Sequence, residues 1–210
     1  MKTLLILRHA KSSWKHPELA DHERPLNKRG KKDAPYVGQV LLDRELVPQR
    51  ILSSTAMRTR QTAEAVAEAC HYAGTVDYLD ALYMAEPQAI LAALRGLPDE
   101  VERVMIIGHN PGLEGMVQML TGQIIALPTA ALAHLFLPVQ TWQGLTLETG
   151  GELVELYLPS PAEKVEQKPT QQEPKPKDKK TKEKAEMGDK KKDKKDKKDK
   201  KEKKEKKKKK

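Results

Sequence analysis

Two apolar runs constrain the fold of this chain more than any other feature. Residues 3–10 read TLLILRHA and residues 104–112 read VMIIGHNPG. Each holds four consecutive apolar residues and each stops at a histidine. A short run that is apolar at every position is a strand covered on both faces, the situation of a parallel sheet flanked by helices. In such sheets ligands bind beyond the carboxyl ends of the strands. His9 and His109, two of only six histidines, fall at that end.

The rest of the first 120 residues alternates accordingly. Strands are expected at Lys2–Leu7, Arg50–Ser53, Val76–Leu79 and Arg103–Ile107. Helical spacing covers Lys31–Leu46, Met57–Ala73 (with Gly74 as its stop), Pro87–Leu97 and Pro111–Leu120. Residues 11–30, broken by Pro17, Pro25 and Gly30, predict a long loop of the kind that carries function. From Leu127 onward Ala131–Leu137, Gly144–Thr149 and Glu152–Leu158 predict strands that pair antiparallel at one edge. The fold class is therefore α/β: a three-layer sandwich, its central sheet mostly parallel, with helices on both faces.

Charge divides the chain. Residues 163–210 hold 24 lysines and 12 acidic residues, a net of +12, whereas the residues before them carry a net of −3. The basic balance thus belongs to the tail and says nothing of nucleic-acid binding by the domain. The tail has no aromatic residue and few apolar ones, so ordering it would cost more entropy than burial returns. A domain over residues 1–160 and a disordered Lys-rich tail over 161–210 are expected. The tail suits a solvated extension or a tether for polyanions such as nucleic acid or polyphosphate. Interleaved acids, absent aromatics and no apolar anchor weigh against base stacking and membrane attachment. One cysteine, Cys70, excludes a disulfide framework and a cysteine-based zinc site. No run reaches the length of a membrane span, and the first apolar run is too short for a secretory signal. A cytoplasmic monomer is expected.

The chemistry-bearing residues converge on the strand ends. Arg8 and His9 close the first strand. Arg58, in SSTAMRTRQTA, opens a helix directly after the RILS strand. Gly108 and His109 close a later strand, and Asp21 and Arg24 lie in the loop as DHERPLNKRG. Three arginines and two histidines at strand ends suit an anion with several oxygens, because the planar guanidinium fork matches phosphate. A helix N-terminus at Arg58 adds to the field. Asp21 and Arg24 fit a functional role or a simple ion pair stapling the loop.

These blocks, TLLILRHAKSS, DHERPLNKRG, SSTAMRTRQTA and GHNPGL, resemble the phosphoglycerate mutase-like histidine phosphatase superfamily. The short length and the DxxRPL block are similar to its SixA branch, the phosphohistidine phosphatases. The resemblance spans about residues 1–160 and implies a metal-independent phosphatase without cofactor. His9 would attack phosphorus and form a transient phosphohistidine, which water then hydrolyses. Arg8, Arg58 and His109 would stabilise the transferring oxygens, Arg24 would add a phosphate contact, and Asp21 would orient Arg24 or His9. His109 could act as a cation once phosphate binds. Thr129 matches a threonine that orients catalytic side chains in the family, or is a turn hydroxyl. The substrate implied is phosphohistidine on a protein. A small phosphorylated molecule is the alternative, and a phosphate- or polyanion-binding protein is the alternative of another class. Glu86 is the sole glutamate in YLDALYMAEPQAI, and no WEG-like block surrounds it, so no general acid is assigned. A phosphoramidate needs less help from an acid than an alkyl phosphate does.

The remaining polar and aromatic residues have plainer roles. Arg60 is expected to be solvated on another helix face than Arg58. His16 and His22 are expected to be exposed, His71 to sit near a helix end and His134 to be structural. Trp14 and Trp142 are expected to pack.

Overall fold

A computed structural model describes residues 1–159 of the protein. The Lys-rich tail, with its expected disorder, lies outside the described residues. Within them are the strands β1 (Lys2–Arg8), β2 (Arg50–Ser54), β3 (Val76–Leu79), β4 (Arg103–Gly108), β5 (Leu132–Leu137) and β6 (Glu152–Tyr157). The helices are α1 (Gly30–Asp43), α2 (Met57–Ala69), α3 (Pro87–Arg95) and α4 (Gly112–Thr121). Single 3₁₀ turns occupy Asp21–Glu23 and Asp80–Leu82.

The strands form one sheet in the order β3-β2-β4-β1-β5-β6. The first four are parallel, and β5 and β6 run antiparallel at one side. The apolar runs are continuous because alternate residues serve opposite cores. Leu5, Leu7, Ile51, Met105 and Ile107 pack with Val37 and Leu41 of α1 and Ala63 and Val66 of α2. Leu4, Ile6, Leu52, Val104 and Ile106 pack with Ile90 and Leu94 of α3 and Met116 and Val117 of α4. This is the three-layer α/β sandwich the sequence predicts. Each such buried side chain contributes about 1.5–3 kcal/mol, so the strand ends that carry the histidines are rigidly placed. Close packing of α1 on α2 depends on Gly38: a Cβ there would lie 2.6 Å from both Ala69 Cβ and the Val66 carbonyl oxygen.

Register brings the strand ends together. Arg8 pairs with Gly108 across the parallel β1–β4 ladder, so the next residues, His9 and His109, leave the sheet side by side. Ser53 pairs with Ile107, which sets Ser54 level with Gly108.

Several boundaries differ from expectation. Helix α1 ends at Asp43, because Glu45 turns left-handed at φ 55°. Helix α2 stops at Ala69, with His71 left-handed at φ 53°, rather than running on to Gly74. Gly144–Thr149 is not a strand but a run of turns. There the Thr149 hydroxyl accepts the Thr146 N–H at 2.9 Å and the Thr141 hydroxyl accepts that of Gly144 at 3.2 Å, capturing backbone a ladder would need. Trp142 packs as expected, fully buried with its indole N–H on the Val101 carbonyl. Trp14 packs one ring face on the Arg24 guanidinium but is otherwise 75% exposed.

Candidate active site

His9 follows the last residue of β1 and is 9% exposed. Its Nδ1 lies 2.8 Å from the Ala10 carbonyl oxygen. A carbonyl only accepts, so Nδ1 carries the proton and Nε2 keeps its lone pair. The Ala10 peptide is itself fixed: its N–H donates to the Thr62 hydroxyl at 3.0 Å, and that hydroxyl donates to the Arg58 carbonyl at 2.6 Å. Burial pushes the His9 imidazole down to about 4. The Ala10 carbonyl opposes that shift, while Arg58, Arg8 and Arg24 add to it. His9 is thus neutral at pH 7.

His109 faces it across the β1–β4 register, with ring centroids 5.2 Å apart. Arg58 Nη2 donates to His109 Nδ1 at 3.2 Å, so the ring proton is on Nε2, which donates to Ser54 Oγ at 2.9 Å. Burial and then the Arg58 charge push His109 down to about 3. It is neutral in this arrangement rather than a cation.

Asp21, in the 3₁₀ turn of the long loop, is the hub of the cationic residues. Its carboxylate accepts Arg24 Nη1 at 2.7 Å, Arg58 Nη2 at 2.9 Å and the Tyr83 hydroxyl at 2.9 Å. Its backbone carbonyl accepts Arg58 Nη1 at 2.6 Å. Burial alone would raise its pKa, but Arg24, Tyr83 and Arg58 outweigh this and hold it at about 2. Asp21 therefore orients Arg24 and Arg58; no bond joins it to His9.

Arg24 is buried and ties the loop together. Its Nε donates to the Ser13 carbonyl at 3.1 Å and its Nη2 to the Ser12 hydroxyl at 2.8 Å, and the Trp14 ring covers its face at 3.2 Å. Three of its donors are thus engaged within the loop, and two N–H groups remain.

Arg8 is held from the other side. Its Nη1 donates to the Leu127 carbonyl at 2.7 Å, while its buried Nε has no protein partner. The Leu127 carbonyl also accepts Asn110 Nδ2 at 3.0 Å, and the Leu127 N–H donates to Glu114 at 2.8 Å. The turn after Leu127 is pinned by the Ala130 N–H, which lies 3.1 and 3.2 Å from the Arg8 and His9 carbonyl oxygens. That turn presents Thr129, half-buried, whose side chain makes no hydrogen bond among the described residues.

Arg8, His9, Arg58, His109, Asp21, Arg24 and Thr129 thus come to one edge of the sheet. Sequence reasoning missed Ser54, Tyr83 and the Glu114–Leu127 latch. Ser54 had a legible signal, since it ends a strand parallel to the one that delivers His109. Tyr83 had none, because the 3₁₀ turn after β3 brings it in. Tyr83 sets its ring edge against His109 at 5.6 Å and against His22 at 4.9 Å. His22 is half-buried rather than exposed, with Nε2 3.0 Å from the Thr55 hydroxyl. Arg60 is likewise not simply solvated: it stacks on Tyr78 at 4.3 Å and its Nε donates to the Thr55 carbonyl. Glu86 is exposed at the start of α3, its backbone packed on Gly112, where a Cβ would collide with the Ala85 carbonyl.

The carboxyl edge of a doubly covered sheet thus gathers two neutral histidines and three arginines, an arrangement whose donors suit an anion with several oxygens. The sequence profile of the histidine phosphatase superfamily (branch 1) matches residues 4–83. An uncharacterised chloroplastic protein of Arabidopsis thaliana is 35% identical over 152 residues, covering 68% of this chain and 69% of that one. An uncharacterised protein of Mycobacterium leprae is 34% identical over 167 residues, covering 73% and 99%. Among solved structures, the SixA protein of Agrobacterium tumefaciens superposes with a TM-score of 0.64 at 30% identity, over 75% of this chain and 98% of that one. A SixA protein complexed with tungstate shares the fold, with a TM-score of 0.63 at 23% identity over 73% and 95%. The chain belongs to the histidine phosphatase superfamily and is of the SixA type. Among the described residues, no helix is long and apolar enough to cross a membrane.

Proposed function

We propose that this protein is a metal-independent phosphohistidine phosphatase acting through a covalent intermediate on His9. The observation that carries this reading is the tautomer of His9: Nδ1–H is fixed on the Ala10 carbonyl and Nε2 is left as a neutral nucleophile among cations. Nε2 attacks phosphorus as the P–N bond to the substrate imidazole breaks, and the departing ring takes a proton from solvent. Water then attacks the phosphoryl group on His9, releasing phosphate and restoring Nε2. Arg8 and Arg58 take up charge on the transferring oxygens, with the free Arg8 Nε–H as a further donor. His109 joins them through Nδ1. Because Nε2–H is committed to Ser54, Nδ1 is the one nitrogen of His109 open to a proton when a phosphate oxygen replaces the Arg58 contact. Arg24 and Thr129 are outer phosphate contacts, and Asp21 positions the two arginines it binds.

The leaving group follows from the same geometry. Asp21 is the carboxylate bonded into the cluster, and at about 2 it holds no proton to give to an alkoxide. Imidazole needs no such donor, which favours phosphohistidine over alkyl phosphates. A broad small-molecule phosphomonoesterase would need an acid such as Glu86. A mere phosphate or polyanion binder would have no use for a free imidazole nitrogen.

The test offers a phosphohistidine-bearing protein and a phosphoserine peptide to the enzyme with chelator present, beside His9→Ala. Release from phosphohistidine alone, lost in His9→Ala, is the expected result. Equal release from both substrates would move the assignment to a general phosphatase. His9→Ala activity within about tenfold of wild type would remove His9 as nucleophile.

A further inference from the structure

The end of the sheet remote from His9 and His109 carries a cation of its own. At the amino ends of β1 and β4, where Thr3 pairs with Arg103, lies a pocket of about 240 Å³ lined by Met1, Thr3, Val47, Gln49, Glu102 and Arg103. Arg103 is half-buried, and no carboxylate of the described residues lies within ion-pair distance of it. Two backbone carbonyls hold it instead: Nη1 donates to that of Glu45 at 2.6 Å and to that of Val47 at 3.2 Å, in the turn after α1. Carbonyls fix the plane of a guanidinium without cancelling its charge. That charge is felt at His134, whose imidazole is pushed down by burial and then by Arg103, with Glu155 opposing.

The bonds to Nη1 leave the opposite edge of the guanidinium whole. Nε is buried without a partner, and Nη2 makes no hydrogen bond among the described residues. The Nε–Nη2 edge is one of the forks by which arginine grips two oxygens at once. Gln49 adds donors beside it. Its carboxamide oxygen accepts the Glu102 N–H at 2.6 Å and the Arg103 N–H at 2.9 Å. Two backbone donors require an oxygen there, so the amide orientation is fixed and the NH₂ group is left unpartnered among the described residues.

We propose that this pocket binds a small organic monocarboxylate, both its oxygens on the Nε–Nη2 edge of Arg103 and one shared with the Gln49 NH₂ group. The proposal is independent of the phosphatase reading. Charge favours carboxylate over phosphate: the lining has one acidic side chain, Glu102, to one basic, Arg103. A single negative charge matches Arg103, whereas a phosphate dianion would set surplus charge against Glu102. Size limits the rest of the ligand. The pocket is smaller than the roughly 300–1,000 Å³ of drug-sized sites, and Val47 and Met1 are the apolar surface for a short chain.

The experiment titrates the full chain with sodium propionate at an ionic strength held constant with chloride. NMR follows the Arg103 Nε–H and the Gln49 side-chain NH₂ signals. Saturable shifts of both are expected, with a Kd in the millimolar range. Gln49→Glu keeps an oxygen for the two backbone N–H groups but sets a carboxylate in place of the NH₂ group, and should weaken propionate about tenfold or more. Arg103→Lys keeps the charge without the fork and should weaken it similarly; it carries the test should Gln49→Glu fail to fold. Shifts that do not saturate, or that chloride alone reproduces, would overturn the site, as would unchanged affinity in the folded variants. Tighter binding of inorganic phosphate than of propionate at Arg103 would overturn the carboxylate as its ligand.

Discussion

Removing the carboxylate of Asp21 is the sharpest perturbation the structure offers. Arg58 is 4% exposed and Arg24 9% at their side chains, and Asp21 is their shared counter-charge, itself 48% exposed. Its carboxyl group is held at about 2 against an ordinary 3.8. That gap corresponds to about 2.5 kcal/mol; with half the carboxylate in solvent, screening reduces it to about 1 kcal/mol. Loss of charge-assisted hydrogen bonds to a buried guanidinium adds a comparable amount, limited because Arg58 keeps the Asp21 carbonyl and His109. Asp21→Asn should therefore destabilise the protein by about 1–2 kcal/mol at pH 7, read from urea unfolding. Because the folded pKa is depressed, the stabilisation is complete above 3.8 and is lost only as pH falls through about 2. The Asn penalty should thus be flat between pH 5 and pH 8. Tyr83→Phe removes one of the same carboxylate's donors, so the double variant should be less destabilised than the two singles predict, by about 0.5–1 kcal/mol. A penalty near zero at pH 7, or strict additivity with Tyr83→Phe, would refute the hub.

Other consequences follow from the same geometry. The folded pKa values of His9 and His109, about 4 and about 3, lie below 6.5, so their contribution to stability is present above pH 6.5 and lost as pH falls towards those values. Urea unfolding should show stability falling by about 2–4 kcal/mol from pH 7 to pH 5, with half-buried His134 acting in the same direction, and His109→Gln should lessen the fall; an unchanged midpoint would contradict the neutral pair. Glu114→Ala, which frees the Leu127 N–H and removes the opposing charge near Arg8, should cut kcat/KM on phosphohistidine by about tenfold, whereas Glu114→Gln, still able to accept that N–H, should recover most of it. Failure of glutamine to rescue would place the effect in charge rather than in the position of Leu127. If the lysine tail tethers polyanions, deleting residues 163–210 should abolish heparin retention at low salt; unchanged retention would assign the tail to solvation.

The strands and their cargo were legible because burial on both faces leaves an unmistakable pattern. Leu4–Leu7 and Val104–Ile107 could only be central, and once central they had to deliver Arg8-His9 and Gly108-His109 to the same edge. The contacts made by loops were not legible. Tyr83, Glu114 and Leu127 reach the site through backbone turns that no periodicity encodes. Trp14 was expected to pack, and it does so at the surface, over a guanidinium whose charge is already met by Asp21. Gly144–Thr149 alternates like a strand, but its threonine hydroxyls compete for the backbone and win locally.

These two layers of information divide the work of the site. On the proposed reading the strand-borne residues are the groups that meet the phosphoryl oxygens, and the loop-borne Asp21 supplies the counter-charge around them. Burial, and then the three arginines nearby, lower the proton affinity of His9 and keep its Nε2 free, but an arginine cluster without counter-charge would be costly to bury. Asp21 supplies that counter-charge to Arg24 and Arg58 without touching His9. It raises the proton affinity of His109, where on the proposed reading a proton would help hold phosphate, and leaves the His9 imidazole neutral. A carboxylate bonded directly to His9 would strengthen the hold on the imidazole proton but favour its cation. The Ala10 carbonyl, uncharged and carried by a residue whose N–H is held by Thr62, orients the ring without that penalty.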